Sequence, residues 1–279
     1  MSKATKSKVP NVIVVSDNHA GCGLALCPKR VVLRDKGVYH ASAFQQKIWA
    51  HWTEFRTKWV PRVTKGEPFI LVHNGDAIDG RHHGTTSQIS HNLQDQENIA
   101  HDVLAPLVEK AAAYYHIRGT EAHVGPSGEA EESLAQRLGA IPDSGGNHAR
   151  WDLWLDLQGH LCHFSHHIGV TGSSQYEATA LGKEMSENYS EAGRWGEHPA
   201  QVVIRSHRHR YGMWQHYGKH GLQMVVTTPA WQLKTGYVFR GQAKMSQPQI
   251  GGVLIRCGDE ELHTRAMVWA MARSQTERA

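Results

Sequence analysis

Residues 69–80 read FILVHNGDAIDG. The four apolar residues at 69–72 make a run of the length expected for a strand buried on both faces, and Asn74, Gly75 and Gly80 are residues that turn the chain. Asp76 and Asp79 therefore fall just beyond a strand end, where a rigid strand positions a side chain and the loop leaves it open to solvent. One such loop is no more than an ordinary turn. Its meaning depends on what the other strands carry at the same end.

Working outward, residues 11–16 (NVIVVS) read as a buried strand followed by Asp17-Asn18-His19. Residues 114–118 read as another, followed by Gly119-Thr120-Glu121-Ala122-His123. Between them, residues 43–60 carry Phe44, Ile48, Phe55 and Trp59 at helical spacing, and residues 92–113 carry Ile99, Val103 and Leu107; residues 129–138 read as a further helix. Strand and helix alternate three times, which predicts parallel strands joined by crossover helices. Residues 21–40 read as a loop with a small hairpin of 31–34 against 38–40. The second half changes character. A hairpin of 151–157 and 160–165 turns at Gln158-Gly159, a helix spans 175–189, and strands follow at 202–206, 211–217, 222–228, 252–256 and 262–269. No internal repeat and no Ser/Pro-rich linker divides the chain, so one domain is expected over residues 11–279 behind a disordered basic arm at 1–10.

The 279 residues are long enough for a large core, and the longest apolar runs are far too short for a membrane span. The start, MSKATKSKVP, has no hydrophobic signal core, and four scattered cysteines make no disulfide framework or zinc ribbon; a cytoplasmic protein with no membrane partner is expected. A net charge of +4 suits a phosphate-bearing substrate without demonstrating nucleic-acid binding. The 21 histidines, against 26 carboxylates, are more telling, because histidine is the commonest metal ligand and several cluster at predicted strand ends. These ends carry Asp17/His19, Asp76/Asp79, Glu121/His123, His166/His167 and His207/His209. In an open α/β sheet the carboxyl ends of strands converge on one edge, so these residues are expected to meet. Mixed Asp and His ligands suit manganese, zinc or iron.

The motif order Asp17-Asn18-His19, Gly75-Asp76-Ala77-Ile78-Asp79, Gly119-Thr120-Glu121, His166 and Ser206-His207-Arg208-His209 resembles the calcineurin-like metallophosphoesterase family, over residues 12–209. The resemblance implies an α/β fold, a two-sheet β-sandwich flanked by helices in α-β-β-α layers. It implies two divalent metal ions, manganese, zinc or iron, one held by Asp17, His19 and His209 and the other by His166 and His207, with Asp76 shared. Asp79 is read either as an acid that orients a ligand or as a turn or capping residue. The third motif departs from the family's Gly-Asn-His: Glu121 is assigned the metal seat and His123 the phosphate-facing, proton-donating seat. A literal Gly146-Asn147-His148 follows a turn-like stretch instead of a buried strand, and is read as a decoy. His82, His83 and His167 are read as pocket lining, Arg81, Arg208 and Arg210 as phosphate clamps or a basic rim, Arg205 as structural, and Trp49, Trp52 and Trp59 as core.

The implied chemistry is hydrolysis of phosphoester bonds by hydroxide generated between two metals, with a phosphodiester, including nucleic acid, ahead of a phosphomonoester. A non-catalytic binding protein on the same fold ranks last, since only the third motif supports it. Residues 21–40 and 231–248 are expected to border the site. Oligomeric state is not legible.

Overall fold

The computed structural model describes residues 9–82, 84–169, 176–219, 221–240, 247–257 and 262–270. Most of the expected basic arm, together with His83, Gln175 and residues 241–246 of the expected border loop, lies outside the described residues.

Strands β1 (Asn11–Val15), β2 (Arg30–Val32), β3 (Val38–His40), β4 (Phe69–Asn74), β5 (Ala113–Ile117), β6 (Ala149–Arg150), β7 (Leu153–Leu157), β8 (His160–Phe164), β9 (Val202–Arg205), β10 (Gly212–Gly218), β11 (Gly221–Thr227), β12 (Gln249–Cys257) and β13 (Leu262–Ala270) build two large sheets and one hairpin. The first sheet runs β13-β12-β1-β4-β5-β6, with β1, β4, β5 and β6 parallel; the second runs β10-β11-β9-β8-β7, with β8, β9 and β11 parallel. Hairpin β2-β3 stands apart.

Side chains on a strand alternate between faces, and the apolar runs sort accordingly. Val12 and Val14 of β1 join Val72, Ile117, Phe164, Val202, Ile204 and Val226 between the two sheets. Ile13 and Val15 point the other way, into a core shared with the helices α1 (Ala43–Glu54), α3 (Leu93–Val108) and α5 (Glu129–Arg137). On the far face of the second sheet, Val203 and Val225 pack on Leu181 and Met185 of α6 (Glu177–Trp195). The result is the expected sequence of helix, sheet, sheet and helix layers.

Local chemistry explains where the elements start and stop. Ser42 and Gln45 close a capping box that starts α1. Past Glu54 the helix widens into a π turn, Phe55–Trp59, before the short α2 (Val60–Val63). Pro61 has no N–H for the Thr57 carbonyl, and the Val60 N–H reaches back to Phe55, so the extra residue absorbs the proline. Trp52, Phe55 and Trp59 stay buried as core, as expected, whereas Trp49 is half-buried and Phe44, expected on the same stripe, is exposed. β6 was not legible, being only two residues long. Among the described residues no helix is long and apolar enough to cross a membrane.

Candidate metal centre

The parallel strands of both sheets end on the same side. β1 delivers Asp17 and His19, β4 delivers Asp76 and Asp79, β5 delivers Thr120 and His123, β8 delivers His166, and β9 delivers His207 and His209. The turns are tight. Asp17, His19, Asp76, His207 and His209 all have positive φ, between 44° and 69°, which costs a non-glycine residue of order 1–3 kcal/mol. Asp and His tolerate this region better than branched residues do, but five such residues at one site mean the surrounding structure holds them there.

Asp17, His19 and His209 bring one ligand atom each within 4.8 Å of one another, and so do Asp76, His166 and His207. In the first group His209 Nε2 lies 3.1 Å from His19 Nε2 and 3.3 Å from Asp17 Oδ1. Ligand atoms about 2.1 Å from one ion at tetrahedral or octahedral angles are about 3.0–3.4 Å apart, so these spacings are those of a coordination sphere. In the second group Asp76 Oδ2 is 3.0 Å from His166 Nε2 and 4.0 Å from His207 Nδ1. The same oxygen is 4.0 Å from His19 Nε2, which places Asp76 between the groups. Asp17 Oδ1 in the first group and His166 Nε2 in the second are buried without a hydrogen-bond partner among the described residues, and each faces the other ligand atoms of its own group. The residues of each group therefore fit a divalent cation.

Electrostatics agree. Burial opposes a charged His166, yet the Asp76 carboxylate beside it raises its pKa to about 10. Burial alone would push Asp76 up, but His166 holds it well below the carboxylate range, and Asp17 is lowered against its own burial by His209. In the metal-free protein the His166–Asp76 pair thus contributes stability that is complete below His166's unfolded pKa of about 6.5 and lost as pH rises through about 10. A cation must displace that proton, so metal affinity measured by calorimetry is expected to strengthen from pH 6 towards pH 9. A flat profile would contradict the arrangement.

Asp79 joins His19 and His123 in a third group of possible ligands, but its oxygens are already used. Gln88 Nε2 donates to Oδ2 at 2.7 Å and Gln232 Nε2 to Oδ1 at 3.2 Å, while His19 Nδ1 stands 3.4 Å from Oδ1. Asp79 therefore orients His19 and leaves its Nε2 for the first group. His82 sits against the same carboxylate at 3.5 Å and lines the cleft.

The third motif differs from expectation by one residue. Thr120 takes the inner position: its N–H donates to Asp76 Oδ1 at 2.7 Å and its Oγ1 lies 3.2 Å from both Asp76 Oδ2 and His207 Nδ1. Glu121 is not brought to the cluster. It opens the short helix α4 (Glu121–Val124), whose turn points its side chain outward, and it is exposed. His123 does reach the site. Its Nδ1 donates to the Asp79 carbonyl at 2.7 Å and its ring meets His19 edge-on at 4.5 Å. Burial and the neighbouring His19 lower its pKa to about 4. Asn147 and His148 are absent from the cluster: Asn147 closes a turn on Asp143, and His148 is held by Glu132 of α5. His148→Ala is accordingly expected to change turnover and metal content by less than about threefold, and Glu121→Ala to leave metal content within the same limit.

Two features escaped sequence reasoning. Beneath the ligands runs a buried chain of hydroxyls, from Asn74 Nδ2 to Ser206 Oγ at 2.7 Å, on to Thr228 Oγ1 at 2.7 Å, Ser16 Oγ at 2.6 Å and Asp17 Oδ2 at 2.5 Å. It ties the two sheets together under the site. The second is Gly119, where a Cβ would collide with Asp76, so the third strand approaches the central ligand by backbone alone.

Above the ligands lies a cleft of about 340 Å³ lined by His19, Asp76, Thr120, His123, His207 and His209, with Gln232, Thr235, Tyr237 and Val238 on its far wall. Residues 232–238 of the expected border loop thus contribute a wall. Residues 21–40 do not: they pack behind it, with the Leu26 N–H on the Trp231 carbonyl and the Leu233 N–H on that of Leu24. A second hollow of about 450 Å³ continues past His82 and His123 to Arg81, Leu93 and Glu121. Of the arginines, Arg205 pairs with Glu184 at 2.8 Å on the outer face of the second sheet, Arg210 pairs with Glu177, and Arg208 donates to the Gly169 carbonyl. His167 stands beside His166 and His207 at the rim. The four cysteines are free and buried, and burial pushes the Cys22 and Cys27 thiols up to about 12, which leaves them unreactive.

No family model matches the chain, and no curated protein matches it. Solved structures similar to it include a conserved Streptococcus pneumoniae protein described as a predicted phosphoesterase (12% identity, 93% of this chain and 89% of that one, TM-score 0.39). Another is Vps29 from Entamoeba histolytica complexed with zinc (9% identity, 92% of each chain, TM-score 0.40). A third is the sulfate thiohydrolase SoxB of a Thermus species in complex with glycerol (9% identity, TM-score 0.44), where 96% of this chain spans 57% of that one. By its motif order, its two-sheet topology and the convergence of its acids and histidines at one sheet edge, the chain has the fold of the calcineurin-like metallophosphoesterases.

Proposed function

We propose that this protein is a metal-dependent phosphoester hydrolase acting on phosphodiesters. The observation that carries the reading is the pair of ligand groups, Asp17/His19/His209 and Asp76/His166/His207, joined through Asp76 Oδ2. Two divalent cations held there would polarise the phosphoryl oxygens and lower the pKa of water towards neutrality. The chain's own residues do the rest. The Asn74 carbonyl fixes the tautomer of His166 through Nδ1, and the Asp79 carboxylate stands 3.4 Å from His19 Nδ1, so that each ring presents Nε2. Thr120 holds the Asp76 carboxylate in orientation.

His123 faces the cleft with Nδ1–H committed to the Asp79 carbonyl, and its lowered pKa leaves Nε2 unprotonated in the free protein. A phosphate anion beside it raises that pKa, because an adjacent negative charge favours the imidazolium. On this reading His123 Nε2 is the atom placed to take up a proton when substrate is bound and to give it to the departing oxygen. We favour a diester over a monoester because a second hollow shares His82, Ala122 and His123 with the cleft and reaches Arg81 and Leu93, where a second substituent on the phosphorus would find room. Nucleic acid belongs to this substrate class. A panel of generic phosphomonoesters, phosphodiesters and single- and double-stranded nucleic acids with added manganese tests the reading. Turnover of diesters at least about tenfold above monoesters is expected, and hydrolysis of monoesters alone would reverse the preference.

A further inference from the structure

Glu131 lies in the first turn of α5, outside every strand-end motif, and its side chain is fully buried. A carboxylate among Ala130, Leu134 and Ala135 is costly to bury unless its oxygens are satisfied, and they are satisfied in a specific way. Oε1 accepts the Ala77 N–H at 2.7 Å and Oε2 accepts the Gly119 N–H at 2.6 Å. These two peptides belong to different loops. Ala77 follows Asp76, and Gly119 precedes Thr120, whose own N–H holds Asp76 Oδ1. One carboxylate therefore grips the chain on both sides of the central ligand.

The grip is anchored from below. His116 Nε2 stands 3.7 Å from Glu131 Oε1, and His116 Nδ1 lies 2.7 Å from the Tyr114 hydroxyl. His116 also stacks on His73 at 4.8 Å, and His73 Nε2 is 2.8 Å from Asn18 Oδ1, between Asp17 and His19. All of these side chains are buried. The inlay spans the first sheet from α5 to the loop that follows β1.

We propose that Glu131 is a positioning residue that sets the place of Asp76 by clamping the two loops that carry Asp76 and Thr120, and so sets how tightly the centre holds metal. This rests on reading the cluster as a two-metal site. The geometry makes a strong demand on chemistry: both partners are donors, so both side-chain atoms must be acceptors. A carboxyl group of this length meets it. Glutamine has the same shape but offers one acceptor and one NH₂, which would face a backbone N–H.

The test compares wild type, Glu131→Gln and, as a control on the same helix, Glu132→Gln, whose carboxylate holds His148, Ala149 and Arg118 away from the ligands. Each chelator-stripped protein is titrated with manganese by calorimetry, and hydrogen exchange at the Ala77 and Gly119 amides is measured without metal. Glu131→Gln is expected to unfold cooperatively, to exchange faster at one or both amides with β1 unchanged, and to bind manganese about 10–100-fold more weakly at one or both sites. Glu132→Gln is expected to lower thermal stability without moving manganese affinity. Unchanged exchange at both amides, or faster exchange with manganese affinity within about twofold of wild type, overturns the proposal. If the wild type itself takes up no manganese, the two-metal reading fails, and with it the claim that the clamp sets metal affinity; exchange then decides only whether the clamp exists.

Discussion

Asp76→Ala is expected to leave no phosphoester hydrolysis above the uncatalysed background and to reduce metal uptake at both ligand groups. Its carboxylate stands between them: Asp76 Oδ2 is 3.0 Å from His166 Nε2 and 4.0 Å from His19 Nε2. The substitution removes more than a ligand. It leaves the Thr120 N–H without an acceptor and His166 as a buried imidazole without its anion, and each such loss costs about 1–3 kcal/mol. Asp76→Asn separates the two effects. Its amide oxygen can still accept from Thr120, so this variant should lie closer to wild type in melting temperature while being equally inactive. Activity surviving in Asp76→Asn at wild-type metal content would mean that the shared carboxylate is dispensable.

His123→Ala should lower turnover by about 10²–10⁴-fold with metal content unchanged, as expected for loss of a positioned acid–base group. Its Nδ1 bond to the Asp79 carbonyl fixes the ring, and neither ligand group requires it. The size of the loss should depend on the substrate. With a leaving oxygen that needs no proton the defect should shrink, because proton donation then contributes little. Equal damage with good and poor leaving groups would assign His123 to stabilising phosphoryl charge instead. The pH profile carries the same logic. A group protonated only in the substrate complex loses its proton as pH rises, so turnover should fall on the alkaline side in wild type and lose that limb in His123→Ala.

Much of the placement was legible because short strands rich in apolar residues are a local pattern, and each of Asp17, His19, Asp76, His166, His207 and His209 sits just past one. Convergence follows from the parallel connections, which put those ends on one edge. The third motif was misread by one residue, since counting from a strand end cannot show that the chain coils into α4 at Glu121 and swings that side chain outward while Thr120 turns in. Nor can spacing reveal Glu131 or Gln232. Their partners lie 54 and 153 residues away, and they are ordinary residues until the helix and the late loop are folded against the motifs.

The most direct test of the central claim is the dependence of hydrolysis on metal equivalents. Chelator-stripped protein should show no hydrolysis of a generic phosphodiester, and activity should rise with added manganese and saturate close to two ions per chain, with His209→Ala inert throughout and still folded. Full hydrolysis by the stripped protein, or saturation with no bound manganese, would contradict the account.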